Sequence, residues 1–229
     1  MEENVVKKEI KNLENLKYVV AYPDDFDETT KYPVILFLHG AGSRGDDIEV
    51  VYNGLLFEAA EKYDKFPFVI VEPQCYEDTW FDMFKELKSF AIEVSKWKYV
   101  DSSRIYLMGA SMGGYGTWQL AMSLPDLFAA IIPICGGGMA WNCERLKNTP
   151  VWAFHGGKDP VVDVSESIRM VEAVNKFGGN ARLTIYPDND HDAWTDTYNS
   201  YEVFKWLLTH KNVISQEFSD KYNDSNLYG

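Results

Sequence analysis

A series of short β-rich runs alternating with stretches of helical period constrains this chain more than any other feature. The runs are LKYVVAY (16–22), VILFLH (34–39), FVIVEP (68–73), RIYLMG (104–109), AAIIPIC (129–135), VWAFHG (151–156) and ARLTIYP (181–187). From VILFLH onward most are almost continuously apolar, as strands covered on both faces must be. Between them, DMFKELKSFAIEVSKW (82–97) places Met83, Leu87, Phe90, Ala91, Val94 and Trp97 on one helical face. Asp163 with Glu166 starts a helix over 164–177, and Gly178-Gly179 ends it. A last helix over roughly 195–210 puts Tyr198, Tyr201, Phe204 and Leu208 on one stripe. This alternation predicts an α/β chain with a doubly wound, mostly parallel sheet flanked by helices and joined by right-handed crossovers.

No repeat, low-complexity block or Pro/Gly/Ser-rich linker divides the sequence, so one domain is expected over 1–229. Its core spans about 17–211, followed by a polar extension over 212–229. The net charge of −13 argues against nucleic acid as a partner and against steering of strongly anionic substrates. No apolar run reaches the ~18–20 residues of a membrane span. MEENVVKKEIKNLENL offers no apolar h-region for secretion, and Cys75, Cys135 and Cys143 read as free thiols. A cytoplasmic location is therefore expected.

The chemistry is concentrated in GASMG (109–113), a Gly-x-Ser-x-Gly pattern directly after a strand and before a helix. A nucleophile elbow needs so tight a turn that small residues must flank the serine. The plain reading is a glycine-rich turn whose Ser111 only caps the helix. A serine is a weak nucleophile without a base, so the rest of the chain decides between the two. Functional groups in an open parallel sheet gather in loops beyond the carboxyl ends of its strands. His191, in YPDNDHDAW after the last strand, meets that condition; His39, His155 and His210 fit less well. The order Ser…Asp…His then points to Asp159 in FHGGKDPVV (154–162) as the group that orients the imidazole. Asp163 reads better as a helix cap, and Asp188, Asp190 and Asp192 crowd His191 too closely to face its ring.

Oxyanion donors are expected from the backbone N–H of Met112 and from LHGAGSRGDD (38–47), with Ala41 preferred and Gly40 and Gly42 close behind. That loop lacks the lysine and Ser/Thr of a phosphate-binding loop. His39 is read as its structural support. Cys75 has no histidine arranged to activate it, and neither a cofactor nor a metal is called for.

FLHGAGSRGDD, EPQC, GASMGGYGTW, PICGGG, FHGGKDPVV and DHDAW together resemble the α/β-hydrolase superfamily. They are most similar to small carboxylesterases of the phospholipase/carboxylesterase and prolyl-oligopeptidase-like group. The resemblance covers about 17–211 and implies the α/β-hydrolase fold, with Ser111, Asp159 and His191 as the triad. Feruloyl and acetyl esterases of plant polysaccharides belong to that group. Glu72 departs from it: a small apolar residue usually precedes the proline there, so a charge is expected at the pocket rim.

GGGMAWNCERLKNTP, after the strand ending at Cys135, is too short for a large lid. Trp80, Trp141 and Trp194 are candidate aromatic walls for an aryl acyl group or a sugar, with Gln74 and Tyr115 as rim contacts. For each, packing beneath a loop is the competing reading. The expected activity is hydrolysis of a small ester, aryl or carbohydrate, through an acyl-enzyme. A serine peptidase and a non-catalytic binding protein of the same fold are the alternatives. Oligomeric state is not readable.

Overall fold

The computed structural model describes residues 7–212. It opens with β1 (Lys7–Leu13) and β2 (Leu16–Tyr22), followed by β3 (Tyr32–Leu38). Two short helices, α1 (Glu49–Tyr52) and α2 (Leu55–Glu61), lead into β4 (Val69–Pro73). Then come α3 (Phe84–Ser95), β5 (Val100–Ala110), α4 (Met112–Ser123) and β6 (Ala130–Ile134). The remainder is β7 (Val151–Gly156), α5 (Ser165–Lys176), β8 (Ala181–Tyr186), α6 (Trp194–Tyr198) and α7 (Tyr201–Leu208).

All eight strands form one sheet in the order β1-β2-β4-β3-β5-β6-β7-β8. From β4 through β8 the neighbours run parallel, while β1 pairs antiparallel with β2 and β2 antiparallel with β4. Alternation along β3 shows how the sheet is buried: Val34, Leu36 and Leu38 join one apolar cluster, Ile35 and Phe37 the other. The first cluster contains the inner faces of α3, α4 and α5, and the second those of α1, α2, α6 and α7. Both faces are therefore covered, which is why the central strands tolerate continuous apolar sequence.

After β3 the chain steps one way to β4, and after β5 it steps the other way. The ends of β3 and β5 thus flank the place where the winding reverses, where open α/β sheets form their crevice. The connection after β6 holds only a 3-10 helix (Ala140–Leu146) and no large lid.

Two sequence expectations need amending. The helix expected over 195–210 is two helices broken at Asn199-Ser200. Asn199 Nδ2 donates to the Thr195 carbonyl at 2.8 Å, and Ser200 is extended. Such short polar residues compete for backbone partners and so end helices. The break turns Tyr201 outward and leaves Val203, Phe204 and Leu207 as the buried face. Strand β1 is unforeseen because KKEIKNL is mostly charged; its backbone pairing with β2 over Lys7–Leu13 holds it in place. The polar extension expected at the C-terminus lies, from residue 213, outside the described residues.

Candidate active site

Ser111 occupies the one-residue turn between β5 and α4, with φ 56° and ψ −118°. A positive φ is costly for a non-glycine residue and persists only where the surroundings impose it. Here they do. The Ser111 amide is tied to the Ile134 carbonyl at 2.8 Å, and the Ser111 carbonyl accepts from Tyr115 N–H at 3.1 Å. Gly113 lets α4 start against β3: a Cβ there would lie 1.8 Å from the Leu38 carbonyl oxygen. The small residues of GASMG are thus required by the approach of helix to sheet.

The turn aims Ser111 Oγ at His191, whose Nε2 lies 2.8 Å away. His191 Nδ1 is 2.7 Å from Asp159 Oδ2. Asp159 follows β7 and His191 follows β8, so neighbouring strands deliver both. Gly156 lets the two loops touch, since a Cβ there would lie 1.8 Å from the Asp190 carbonyl oxygen. Asp159 is fixed from both sides: Oδ1 accepts from the amides of Val161 (2.8 Å) and Val162 (2.9 Å). His155 Nε2 lies 3.3 Å behind Oδ2. Burial pushes the Asp159 carboxyl up, but the hydrogen bonds from His191, Val162 and Val161 outweigh it and hold the pKa below its ordinary value. The group therefore stays ionised and accepts the Nδ1–H, which leaves Nε2 free to take a proton from Ser111.

The other acids near His191 are committed locally. Asp188 pairs with Lys158, Asp190 accepts from the Asp192 amide, and Asp192 caps the start of α6 through Thr195. Asp163 accepts from the Ser165 amide at the start of α5, the capping role expected of it.

Met112 is the first residue of α4, so its N–H has no acceptor within the helix. After β3, Ala41–Ser43 form a 3-10 turn whose leading amides are equally unspent by the helix. Gly40, Ala41 and Gly42 line the same cavity as Ser111. His39 holds this loop from below. Its Nδ1–H donates to the Gly40 carbonyl (2.7 Å), and its Nε2 accepts from the Cys75 amide (2.9 Å). Burial pushes its pKa down to about 4, the Gly40 bond opposing and Arg44 adding to the effect.

The cavity above Ser111 has a volume of roughly 490 Å³. Phe37, Leu55, Leu56, Val161, Trp194 and Tyr198 give it a mostly apolar wall. Of the five residues expected to contact substrate, Trp194 is there, its ring edge-on to His191 at 5.2 Å. The other four are elsewhere. Trp80 is fully buried beneath the loop after β3, where its Nε1–H donates to the His39 carbonyl at 3.1 Å. Gln74 is buried too, because Nε2 ties down the carbonyls of Ser43 and Asp47. Trp141 is 75% exposed on the 3-10 helix after β6, and Tyr115 sits on α4; neither lines this cavity.

Glu72 is also not the rim charge expected. It is 2% exposed and lines the cavity from the end of β4, on the face it shares with Ile70. Burial pushes its pKa well above the ordinary value and so favours the protonated carboxyl. Leu55, Leu56, Phe37, Val161 and Tyr198 carry no sequence signal of a pocket; distant segments bring them together.

Among the described residues, Cys135, His155 and Asp159 bring ligand-type atoms within 4.8 Å of one another. Their hydrogen bonds already engage them: His155 with Ser167 and Val162, Asp159 with His191. Burial also pushes the Cys135 thiol up to about 12, so it stays protonated. The three cysteines are free, as expected, and no described helix is long and apolar enough to cross a membrane.

A model of the Dienelactone hydrolase family matches residues 69–210. The chain is 26% identical to a probable feruloyl esterase C of Aspergillus niger, covering 80% of this chain and 70% of that protein. It is 23% identical to dipeptidyl-peptidase 5 of Porphyromonas gingivalis, covering 77% of this chain but only 33% of that protein. The chain therefore spans about a third of that peptidase's length. Among solved structures, a thermostable esterase superposes with a TM-score of 0.79 at 31% identity, over 91% of this chain and 64% of that one. A ferulic acid esterase superposes with a TM-score of 0.67 at 15% identity, over 88% of this chain and 97% of that one. These superpositions bear out the α/β-hydrolase fold.

Proposed function

The chain belongs to the dienelactone hydrolase family, and from that premise we propose that it is a serine hydrolase that cleaves carboxylic esters through an acyl-enzyme. The observation that carries the reading is the continuous relay from Ser111 Oγ through His191 to Asp159, with links of 2.8 and 2.7 Å, built on a strained Ser111.

In the proposed mechanism Ser111 Oγ attacks the ester carbonyl as its proton passes to His191 Nε2. The amides of Met112 and Ala41 receive the developing oxyanion; losing one such donor typically costs roughly 3–4 kcal/mol of barrier. Asp159 stabilises the imidazolium that forms. His191 then protonates the departing alkoxide, and water, activated by the same histidine, releases the acid. His191 must be neutral to accept the first proton.

The apolar, aromatic cavity supports acyl groups with an aryl ring, feruloyl esters among them, alongside small acetyl esters. A peptidase with the same triad is the competing reading, favoured by the dipeptidyl-peptidase relatives. Turnover of p-nitrophenyl acetate against an aminoacyl p-nitroanilide separates the two. Ester cleavage with negligible anilide cleavage is expected. A preference for the anilide would replace esterase with peptidase, and turnover of neither would favour a binding protein.

A further inference from the structure

Glu72 stands out in the cavity wall. Its Oε2 is buried and has no hydrogen-bond partner among the described residues, although buried polar atoms nearly always have one. No described side chain donates to it. A methyl group added to Gly54 would come within 3.6 Å of Oε2, and Phe37, Leu56 and Tyr198 line the same cavity.

Its position in the sheet sets which part of a substrate reaches it. Glu72 ends β4, Ser111 follows β5, and β3 lies between them. With strands ~4.8 Å apart, the two positions are separated by about 10 Å across the sheet. His191 arrives from the opposite side, beyond β8. The leaving oxygen must stay within reach of His191 Nε2 to be protonated. The acyl group accordingly extends the other way, past the loop after β3 and toward Glu72.

We propose that Glu72 is a specificity residue that pairs with a hydroxyl at the far end of the acyl group, so that the preferred substrates are esters of hydroxylated aromatic acids. The proposal rests on the esterase reading of Ser111. A protonated carboxyl offers one O–H donor and an acceptor oxygen, and a hydroxyl matches both. An ammonium would instead require an ionised carboxylate beside Phe37, Leu56 and Tyr198. A buried ion pair repays its desolvation only with further hydrogen bonds. The aromatic wall and the span from Ser111 both favour a flat, extended acyl group over a short one.

Methyl 4-hydroxycinnamate and methyl cinnamate differ only in the hydroxyl. The wild type is expected to favour the hydroxylated ester by about tenfold or more in kcat/KM, because a site built around a hydroxyl rejects the analogue lacking it. Glu72→Leu should bring the ratio close to one. Glu72→Gln, whose amide still donates and accepts, should retain part of it. Should Glu72→Leu fail to fold, as judged by circular dichroism, the wild-type ratio and Glu72→Gln decide. A wild-type ratio near one overturns the proposal, as does a ratio unchanged in Glu72→Leu. Either result leaves the esterase reading standing as long as p-nitrophenyl acetate is hydrolysed. Preference for methyl 4-(aminomethyl)cinnamate over the hydroxylated ester would overturn the assignment of a hydroxyl. If the wild type turns over no ester at all, the esterase reading falls and takes this proposal with it.

Discussion

Acidification should weaken the fold through His39, by an amount that follows from its surroundings. His39 is 3% exposed and held in one tautomer, donating from Nδ1 to Gly40 and accepting at Nε2 from the Cys75 amide. A proton on Nε2 would break the second bond and bury a charge. Its pKa accordingly sits at about 4 instead of the ordinary 6.5. Between those values the unfolded chain holds a proton that the native protein does not, so stability falls as pH falls. The difference, at 1.36 kcal/mol per unit, amounts to about 3 kcal/mol lost between pH 7 and pH 4. Other groups contribute to the same measurement, among them His210, whose pKa burial lowers in the same way. Glu72, with its raised pKa, works in the opposite direction, because above the unfolded carboxylate value the native state holds more of the proton than the unfolded chain does. Asp159, with its lowered pKa, supplies stability that is lost only below the unfolded carboxylate value of about 3.9. Comparing wild type with His39→Gln cancels these contributions. Urea unfolding followed by tryptophan fluorescence at pH 7 and pH 4 should show the wild type losing about 3 kcal/mol more than the variant. Equal losses in the two proteins would refute the assignment of a buried, neutral His39 beneath the loop after β3.

Asp159→Asn should lower kcat by about 10³–10⁴-fold, because the amide no longer favours the tautomer in which Nε2 is free; steady-state kinetics on p-nitrophenyl acetate measure it. Gly113→Ala should cost about 3 kcal/mol or more in urea unfolding, since its Cβ would lie 1.8 Å from the Leu38 carbonyl oxygen and only separation of α4 from β3 relieves the overlap.

The parts of this protein that sequence makes legible are those in which backbone geometry dictates composition. VWAFHG coincides with β7, Val151–Gly156, because a central strand covered on both faces has little freedom in residue type. GASMG is readable because Gly113 is pressed against β3, and Asp159 and His191 because they sit just past strand ends. Strand β1 is hard to see, as its side chains are partly solvated and its pairing is a property of the backbone. The cavity wall is harder still. Trp80 and Gln74 are polar-tipped side chains in a loop, but their tips face backbone carbonyls under that loop instead of the cavity. Leu55 and Leu56 reach the cavity only because α2 packs across the sheet face that Phe37 and Glu72 share. No local pattern encodes such long-range contacts. Glu72 stands out in sequence only as a departure from the group that the chain resembles, while its burial depends on where β4 lies between β2 and β3.

Covalent capture of the nucleophile tests the central claim most directly. The protein is treated with a fluorophosphonate, and the adduct is located by intact-mass and peptide mass spectrometry. A single adduct on Ser111 is predicted in the wild type, with none in Ser111→Ala and greatly slowed labelling in His191→Ala. An unmodified wild type, or equal labelling of wild type and Ser111→Ala, would contradict the account.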